Sequence, residues 1–307
     1  HLKGGKYMNK SKKISIFNVD TIFDIVNHAI LILIVISILY PLYFIVIASI
    51  SNPVMVSSGQ VLFWPRGINF EGYKAIFKDR IILSGYKNSL IYMVLGTSIN
   101  MIVTIPAAYS LSRKDLVGRD AIMFIFTFTM FFSGGLIPTY LIVRSLGMVN
   151  TIWAMVIPNA MSVYNMIISR TFFRTNIPDE LLEASQIEGC SNIRFFVTIA
   201  LPLSKALLAV IALFYGVSHW NAFFNAMIYL NKEELYPIQL VLRNILLENQ
   251  ARQEMMKDLV ENLSTAEQRA ELIKYGMIIV ASVPVLMMYP FAQKFFIKGV
   301  MIGAIKG

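Results

Sequence analysis

Residues 183–202 read EASQIEGCSNIRFFVTIALP and lie between two apolar runs. Glu183-Ala184-Ser185 comes first, Glu188-Gly189 follows, and after nine intervening residues comes Ile199-Ala200-Leu201-Pro202. Just upstream, Pro178 suits the first turn of a helix, where a missing amide is harmless. Asn176 or Ile177 is placed to cap that helix, and Asp179 and Glu180 sit at the positive end of its dipole. The helix is expected to run to Glu188. Gly189 then supplies a left-handed stop, and Ser191 caps a second helix running through Phe195-Phe196 toward Pro202. Ala184 and Ser185 are small enough for a foreign surface to approach the backbone, and Glu183 offers a charge to a basic partner. A charge-bearing helical hairpin wedged between apolar spans reads as a docking surface for something outside the membrane. On chemistry alone, an amphipathic connector lying on the bilayer surface fits the same residues.

Working outward, 56% of the 307 residues are hydrophobic and only 15% are charged. With a mean hydropathy of +0.63, this is the composition of an integral membrane protein. The formal net charge of +9 is spread over lysines and arginines that flank apolar spans. That distribution describes topology rather than a nucleic-acid footprint. The one cysteine, Cys190, has no partner for an internal disulfide, and no paired metal-ligand spacing occurs. Neither metal nor cofactor is expected on the chain.

A helix needs about 20 apolar residues to cross roughly 30 Å of hydrocarbon. Six stretches qualify: 25–50, 87–111, 121–142, 151–172, 203–224 and 273–293. The expected fold is therefore an all-α, six-span membrane protein with a cytoplasmic helical hairpin at 176–202. An even count puts both termini on one side. Basic residues in the N-terminal segment 1–24, in the 112–120 loop and in the tail 298–307 make that side cytoplasmic. The permease body then covers 25–297. His1 to Tyr7 hold no apolar run of signal-peptide length, and Met8 is the expected start.

Two long segments, 51–86 and 225–272, fall outside. The first carries turn-forming Pro53, Gly59, Trp64-Pro65 and Gly67, then a short amphipathic element at 70–77. The second holds Tyr236-Pro237 and a polar helical run. Loops of this length are either solvated caps over span ends or functional faces. Six prolines, Pro41, Pro106, Pro138, Pro158, Pro284 and Pro290, fall within the expected spans and can bend them. Ser133-Gly134-Gly135 permits either close helix packing or local unwinding, with packing the expectation.

Glu183-Ala184-Ser185, Gly189 and Ile199-x-Leu201-Pro202 resemble the EAA loop of bacterial ABC importer permeases. Trp220-Asn221, Tyr236-Pro237 and the ending Lys298-Gly299-Val300-Met301-Ile302-Gly303-Ala304-Ile305-Lys306-Gly307 are similar to the smaller, maltose-type carbohydrate permease. The length of the second outer loop resembles a subgroup for complex or acidic oligosaccharides such as alginate or pectic fragments. Ser185 and Glu188 depart from the alanine and aspartate usual there, without changing size or charge much.

The resemblance implies a half-pathway in the bacterial cytoplasmic membrane. It implies a second homologous permease, two ATP-binding subunits that hold ATP and Mg, and an extracytoplasmic solute-binding protein that delivers the sugar. Glu183, Ala184, Ser185, Glu188, Gly189, Leu201 and Pro202 would then meet an ATP-binding subunit. Lys298, Gly299, Gly303 and Lys306 would make a second contact, although a positive-inside anchor explains the tail equally. For the sugar path, the end of the fifth span offers His219, Trp220, Asn221 and Asn225. Trp220 and Tyr229 also suit an outer aromatic belt. Asn100, Asn159 and Asn165 are read as interhelical hydrogen-bonding groups.

The alternatives are an ion-coupled secondary carrier and a passive channel. Spans two to six contain no Asp or Glu, which argues against a proton relay. No phosphate-binding G-x-x-x-x-G-K-[ST] loop occurs, so the chain itself is not expected to hydrolyse ATP.

Overall fold

A computed structural model describes residues 19–256 and 265–304, and helices are the regular structure among them. In chain order these are α1 (Val19–Ser49), α2 (Pro53–Ser57), α3 (Glu71–Lys78), α4 (Arg80–Ser112), α5 (Arg119–Phe131), α6 (Leu136–Ser145), α7 (Trp153–Val156), α8 (Val163–Asn176) and α9 (Asp179–Ile187). Next, α10 (Asn192–Phe195) runs through a π-helical turn, Phe196–Ala200, into α11 (Leu201–Leu203). Then come α12 (Lys205–Trp220), α13 (Phe223–Tyr229), a 3₁₀ turn at Glu233–Leu235, α14 (Ile238–Met256) and α15 (Thr265–Ala304). The N-terminal segment, Met8 included, lies outside the described residues apart from its last few positions.

Three expected spans are single helices long and apolar enough to cross a bilayer: within α1, α4 and within α15. Pro41, Pro106, Pro284 and Pro290 lie inside these helices without ending them. Two more expected spans are bent pairs, so the count by length and composition is three, or five with each pair taken as one. α5 and α6 meet at 112°, and the turn between them contains Ser133-Gly134-Gly135. Here unwinding, not packing, is the outcome. Gly135 takes φ 85° and ψ −179°, a region open to glycine alone, and no atom would crowd a Cβ there. α12 meets the segment ending in α11 at 82°. The expected fourth span, 151–172, is not one helix: 157–162 separates α7 from α8. Pro158 lies in that break, where its missing N–H and its ring cannot continue α7.

α4 is the axis of the bundle. Its buried positions Ile82, Gly85, Ser89, Tyr92, Gly96, Asn100, Thr104 and Ala108 recur every three or four residues, one continuous stripe. α8, α12 and α14 pack along it, and α15 packs against α12, α14, α1 and α3. At one end, Ile105, Ala108, Phe173, Leu182, Phe195, Ala200, Leu207 and Ile211 form a core that joins α9 and α10 to the bundle. At the other end, Trp220, Ile238, Val241, Met277 and Ala281 form a second core. The residues after α13 are stitched onto α4 there. Asn88 Nδ2 donates to the carbonyls of Glu234 and Tyr236 (2.6 and 3.2 Å), Tyr92 donates to Leu235 O (2.7 Å), and Ile238 N donates to Ser89 Oγ (2.8 Å). By contrast, α1 is exposed from residue 21 to residue 43, the aspect of a helix turned toward lipid or a neighbouring subunit.

Candidate functional site

The hairpin is built from local hydrogen bonds. α9 opens at Pro178, which takes the cap position with no side-chain acceptor. Asn176, expected as a cap, instead donates back to Phe172 O at 3.1 Å and belongs to the end of α8; Ile177 turns its side chain into the core. α9 ends as its glycine requires: Gly189 has φ +76°, its N–H donates to Gln186 O, and Cys190 N donates to Ser185 O, both at 2.9 Å. This pair of bonds closes the helix with a left-handed residue. Ser191 Oγ then accepts from Arg194 N (3.4 Å) and opens α10. Pro202 has no amide to donate to the preceding turn, and the chain answers with the π-helical turn before it and the bend after it. There the buried Ser204 Oγ donates to Ala200 O at 2.8 Å.

Two faces result. Leu182, Phe195 and Ala200 are buried, and so is Ser185, whose Oγ donates to Leu182 O at 2.7 Å. Glu183, Ala184, Glu188, Gly189 and Pro202 are exposed, and Leu201 is half-buried. Ile187 and Ile193 stand out at 88% and 78% exposure, an apolar pair on a charged surface. Asp179 ties the hairpin to the loop between α4 and α5, reaching Lys114 Nζ at 2.7 Å and Arg113 at 3.5 Å. The Lys114 hydrogen bond holds the Asp179 carboxyl below its ordinary pKa. Arg170 extends the cluster, donating to Leu111 O at 2.9 Å and lying 3.9 Å from Asp120. The 112–120 loop and the hairpin therefore share one end of the molecule.

Further along α4, Asn100 joins three elements. Its Oδ1 lies 2.6 Å from His219 Nε2 on α12, and its Nδ2 donates to Asn159 O in the break between α7 and α8, also at 2.6 Å. Gly96 makes this possible, because a Cβ there would collide with the His219 ring. Beside this junction opens a polar cavity of ≈ 460 Å³ lined by Asn159, Ser162, Asn165, Tyr215, Ser218, His219, Asn221 and Asn225, with Met161, Ala222 and Phe224.

Of the four pathway candidates, His219, Asn221 and Asn225 border this cavity and Trp220 does not. Trp220 is fully buried in the opposite direction, donating from Nε1 to Ala281 O (2.9 Å) and meeting the Tyr86 ring edge-on at 5.4 Å. Tyr229 is also buried, stacked at 6.2 Å on Tyr140, so neither residue forms an aromatic belt. The sequence reading passed over Ser162, Tyr215 and Ser218. For Tyr215 and Ser218 the signal is their spacing with His219 on one face of α12; Ser162, outside that helix, carries no such signal. In the tail, Lys298, Gly299 and Gly303 fall on the last turns of α15, and Lys306 lies outside the described residues.

No family model matches the chain. Over 288 residues it is 38% identical to the polygalacturonan/rhamnogalacturonan transport system permease protein YtcP of Bacillus subtilis, an alignment covering 94% of this chain and 99% of that one. The chain belongs to the family of ABC sugar-importer permeases. The permease is also 38% identical over 267 residues to protein LplC of Bacillus subtilis, covering 87% of this chain and 89% of that one. Among solved structures, a bacterial ABC transporter involved in the import of the acidic polysaccharide alginate matches it with a TM-score of 0.82 and 31% identity. That match covers 91% of the permease and 98% of the matched transporter polypeptide. It is a permease subunit of an ABC oligosaccharide importer.

Proposed function

We propose that this permease forms one half of the translocation pathway of an ATP-driven importer for uronate-rich, pectic-type oligosaccharides. The observation that carries the reading is the two-faced hairpin: a buried inner face locked to α4, α8 and α12, and an outer face on which Glu183, Ala184, Ile187 and Ile193 stand free. The cargo class follows from near full-length similarity to a permease named for polygalacturonan and rhamnogalacturonan and to one from an alginate importer.

In this reading the chain crosses the bacterial inner membrane six times, the α7–α8 segment included, with both termini in the cytoplasm. A second homologous permease completes the pathway. Two ATP-binding subunits, which hold ATP and Mg, dock on the hairpins, with Leu201 and Pro202 setting the bend behind the contact. An extracytoplasmic binding protein brings the sugar. ATP binding closes the ATPase pair, and the hairpin passes that motion to α4 through the Asp179 ion pairs and to α8 and α12 through Leu182 and Phe195. Coupling requires that each bound partner favour one conformation over the other.

The test is to purify the permease with its native partners and measure ATP hydrolysis with binding protein and oligogalacturonate. Stimulated hydrolysis by a co-purifying ATPase is expected. A folded permease that brings no ATPase contradicts the reading.

A further inference from the structure

The loop between α1 and α3 is folded back along α1. Its base is closed by Asn52 N donating to Arg66 O (2.8 Å), Asn69 N to Ile50 O (2.9 Å) and Arg66 N to Ser51 Oγ (3.2 Å). Inside it, Val56 and Val61 pack on Ile47 and Ala48 of α1. Tyr275 of α15 joins them, two residues from Met277 in the core at the end of the bundle opposite the hairpin. Two hydroxyls then tie the loop tip to α1: Tyr40 donates to Leu62 O at 3.3 Å, and Tyr43 donates to Phe63 O. Both tyrosines precede the end of α1 at Ser49 by several residues. At about 1.5 Å per residue the tip lies roughly 9–13 Å back along the helix, not beyond it.

The loop has two faces. Val56 and Val61 are buried, whereas Leu62, Phe63, Trp64, Ile68 and Phe70 are each more than half exposed, Trp64 at 77%. The Phe63 ring lies 5.9 Å from that of Tyr40, which is also exposed. Because the frame holding these side chains is closed by hydrogen bonds, their exposure is built into the fold. An apolar surface of this kind is unfavourable in water unless something covers it.

Three observations point to what covers it. First, α1 is exposed on every side from residue 21 to residue 43 and is long and apolar enough to cross a bilayer, and the loop tip lies level with its last exposed turns. A subunit beside such a helix covers one side and leaves bilayer against the rest. Second, Tyr and Trp near the end of an apolar span settle at the level of the lipid headgroups, with their rings in the acyl boundary and their polar atoms toward water. Third, Arg66 is the one charged residue between Asp24 and Glu71, and it is exposed next to Trp64-Pro65. A lone cation beside an apolar face complements anionic lipid.

We propose that the loop tip, residues 62–66, is a membrane-interface anchor. Leu62, Phe63 and Trp64 embed in the boundary between acyl chains and headgroups, in the leaflet at the end opposite the hairpin, and Arg66 meets lipid phosphate. Part of the 51–86 segment thus belongs to the bilayer rather than to the water above it.

The test reconstitutes the complete complex in vesicles containing phosphatidylglycerol. The permease carries Cys190→Ser and a nitroxide on Trp64→Cys, and the cysteines of its partners are replaced. Collision of the label with oxygen, which concentrates in the bilayer, is compared with collision with a water-soluble nickel chelate. The oxygen-to-nickel ratio at position 64 is expected to exceed severalfold the ratio for a label on Lys232→Cys, an exposed position in the charged run Lys232-Glu233-Glu234. A ratio equal to that at Lys232→Cys puts the tip in water and overturns the anchor. Low collision with both reagents means that a protein neighbour, such as the second permease, covers the tip, and overturns it as well. If Trp64→Cys does not assemble, Leu62→Cys, exposed on the same tip, carries the test with the same outcomes.

Discussion

The hairpin and the polar cavity are both places where the chain stops being helical, yet they resolve their broken hydrogen bonds in opposite ways. In the hairpin every interruption is closed within a few residues: Gly189 and Cys190 bond back into α9, Ser191 opens α10, and Ser204 takes the carbonyl next to the π-helical turn. On the outer face Glu183, Ala184, Ile187 and Ile193 are left exposed. At the cavity the repair is long-range, with Asn100 of α4 reaching the carbonyl of Asn159, 59 residues away, and the side chains of Asn159, Asn165, Asn221 and Asn225 border the open space. Local closure suits a surface that must keep its shape while a partner pushes on it. Distant closure suits a segment whose surroundings rearrange.

The largest effect that would break this contrast is at the docking face. Glu183→Lys turns an attraction into a repulsion and is expected to reduce sugar uptake by at least about tenfold at normal expression. Normal uptake would remove Glu183 from the contact. Next is the turn. Gly189→Val forces a β-branched residue to φ +76°, at roughly 1–2 kcal/mol or more of backbone strain, with no neighbour to clash. Melting of the purified complex should drop by several degrees for Gly189→Val and much less for Gly189→Asn. Equal shifts would show that the left-handed turn is not what shapes the hairpin.

Asn100→Leu sharpens the other side of the comparison. It strands the Asn159 carbonyl and His219 at about 1–3 kcal/mol each, so thermal stability should fall while the ATPase still co-purifies through an intact hairpin. Loss of the ATPase would mean that the two regions are not separable. The smallest effect belongs to Asp179→Asn, because its ion pairs are partly exposed and worth below about 1 kcal/mol. The Asp179 carboxyl is held below its ordinary pKa, so its contribution is complete above that value, near pH 4, and disappears as pH falls through the lower folded value. The stability gap between wild type and Asp179→Asn should therefore be flat from pH 7 to about pH 5 and close only below pH 4.

Much of the hairpin was legible because its signals are local. Pro178, Gly189 and Ser191 each act within one turn, and their order alone predicts helix, left-handed stop and second helix. The faces were less legible: Ser185 looks like Ala184 in size, but one lies buried against Leu182 and the other is exposed. α1, α4 and α15 followed from hydropathy, which sums apolar residues over a window. That sum does not see backbone direction, so the 112° turn at Gly135 and the break at Pro158 were hidden inside runs that are apolar throughout. Proline is tolerated in some membrane helices and breaks others: Pro41 and Pro106 lie inside continuous helices while Pro158 lies in a break, and the sequence does not say which surroundings each will have. Trp220 and Asn221 illustrate the same limit at one residue's resolution. A helix turns by 100° per residue, so one packs on α15 and the other opens onto the cavity.

The central claim is that the outer face of the hairpin is where the ATP-binding subunit sits. It is tested most directly by placing a single cysteine at Ala184, with Cys190 changed to serine, and treating native membranes with a short bifunctional thiol reagent. The account predicts a cross-linked product containing the ATP-binding subunit, formed at different rates with and without ATP, and no such product from a cysteine at the middle of the exposed stretch of α1. An accessible Ala184→Cys that never cross-links to the ATPase, in a complex that still transports, would contradict it.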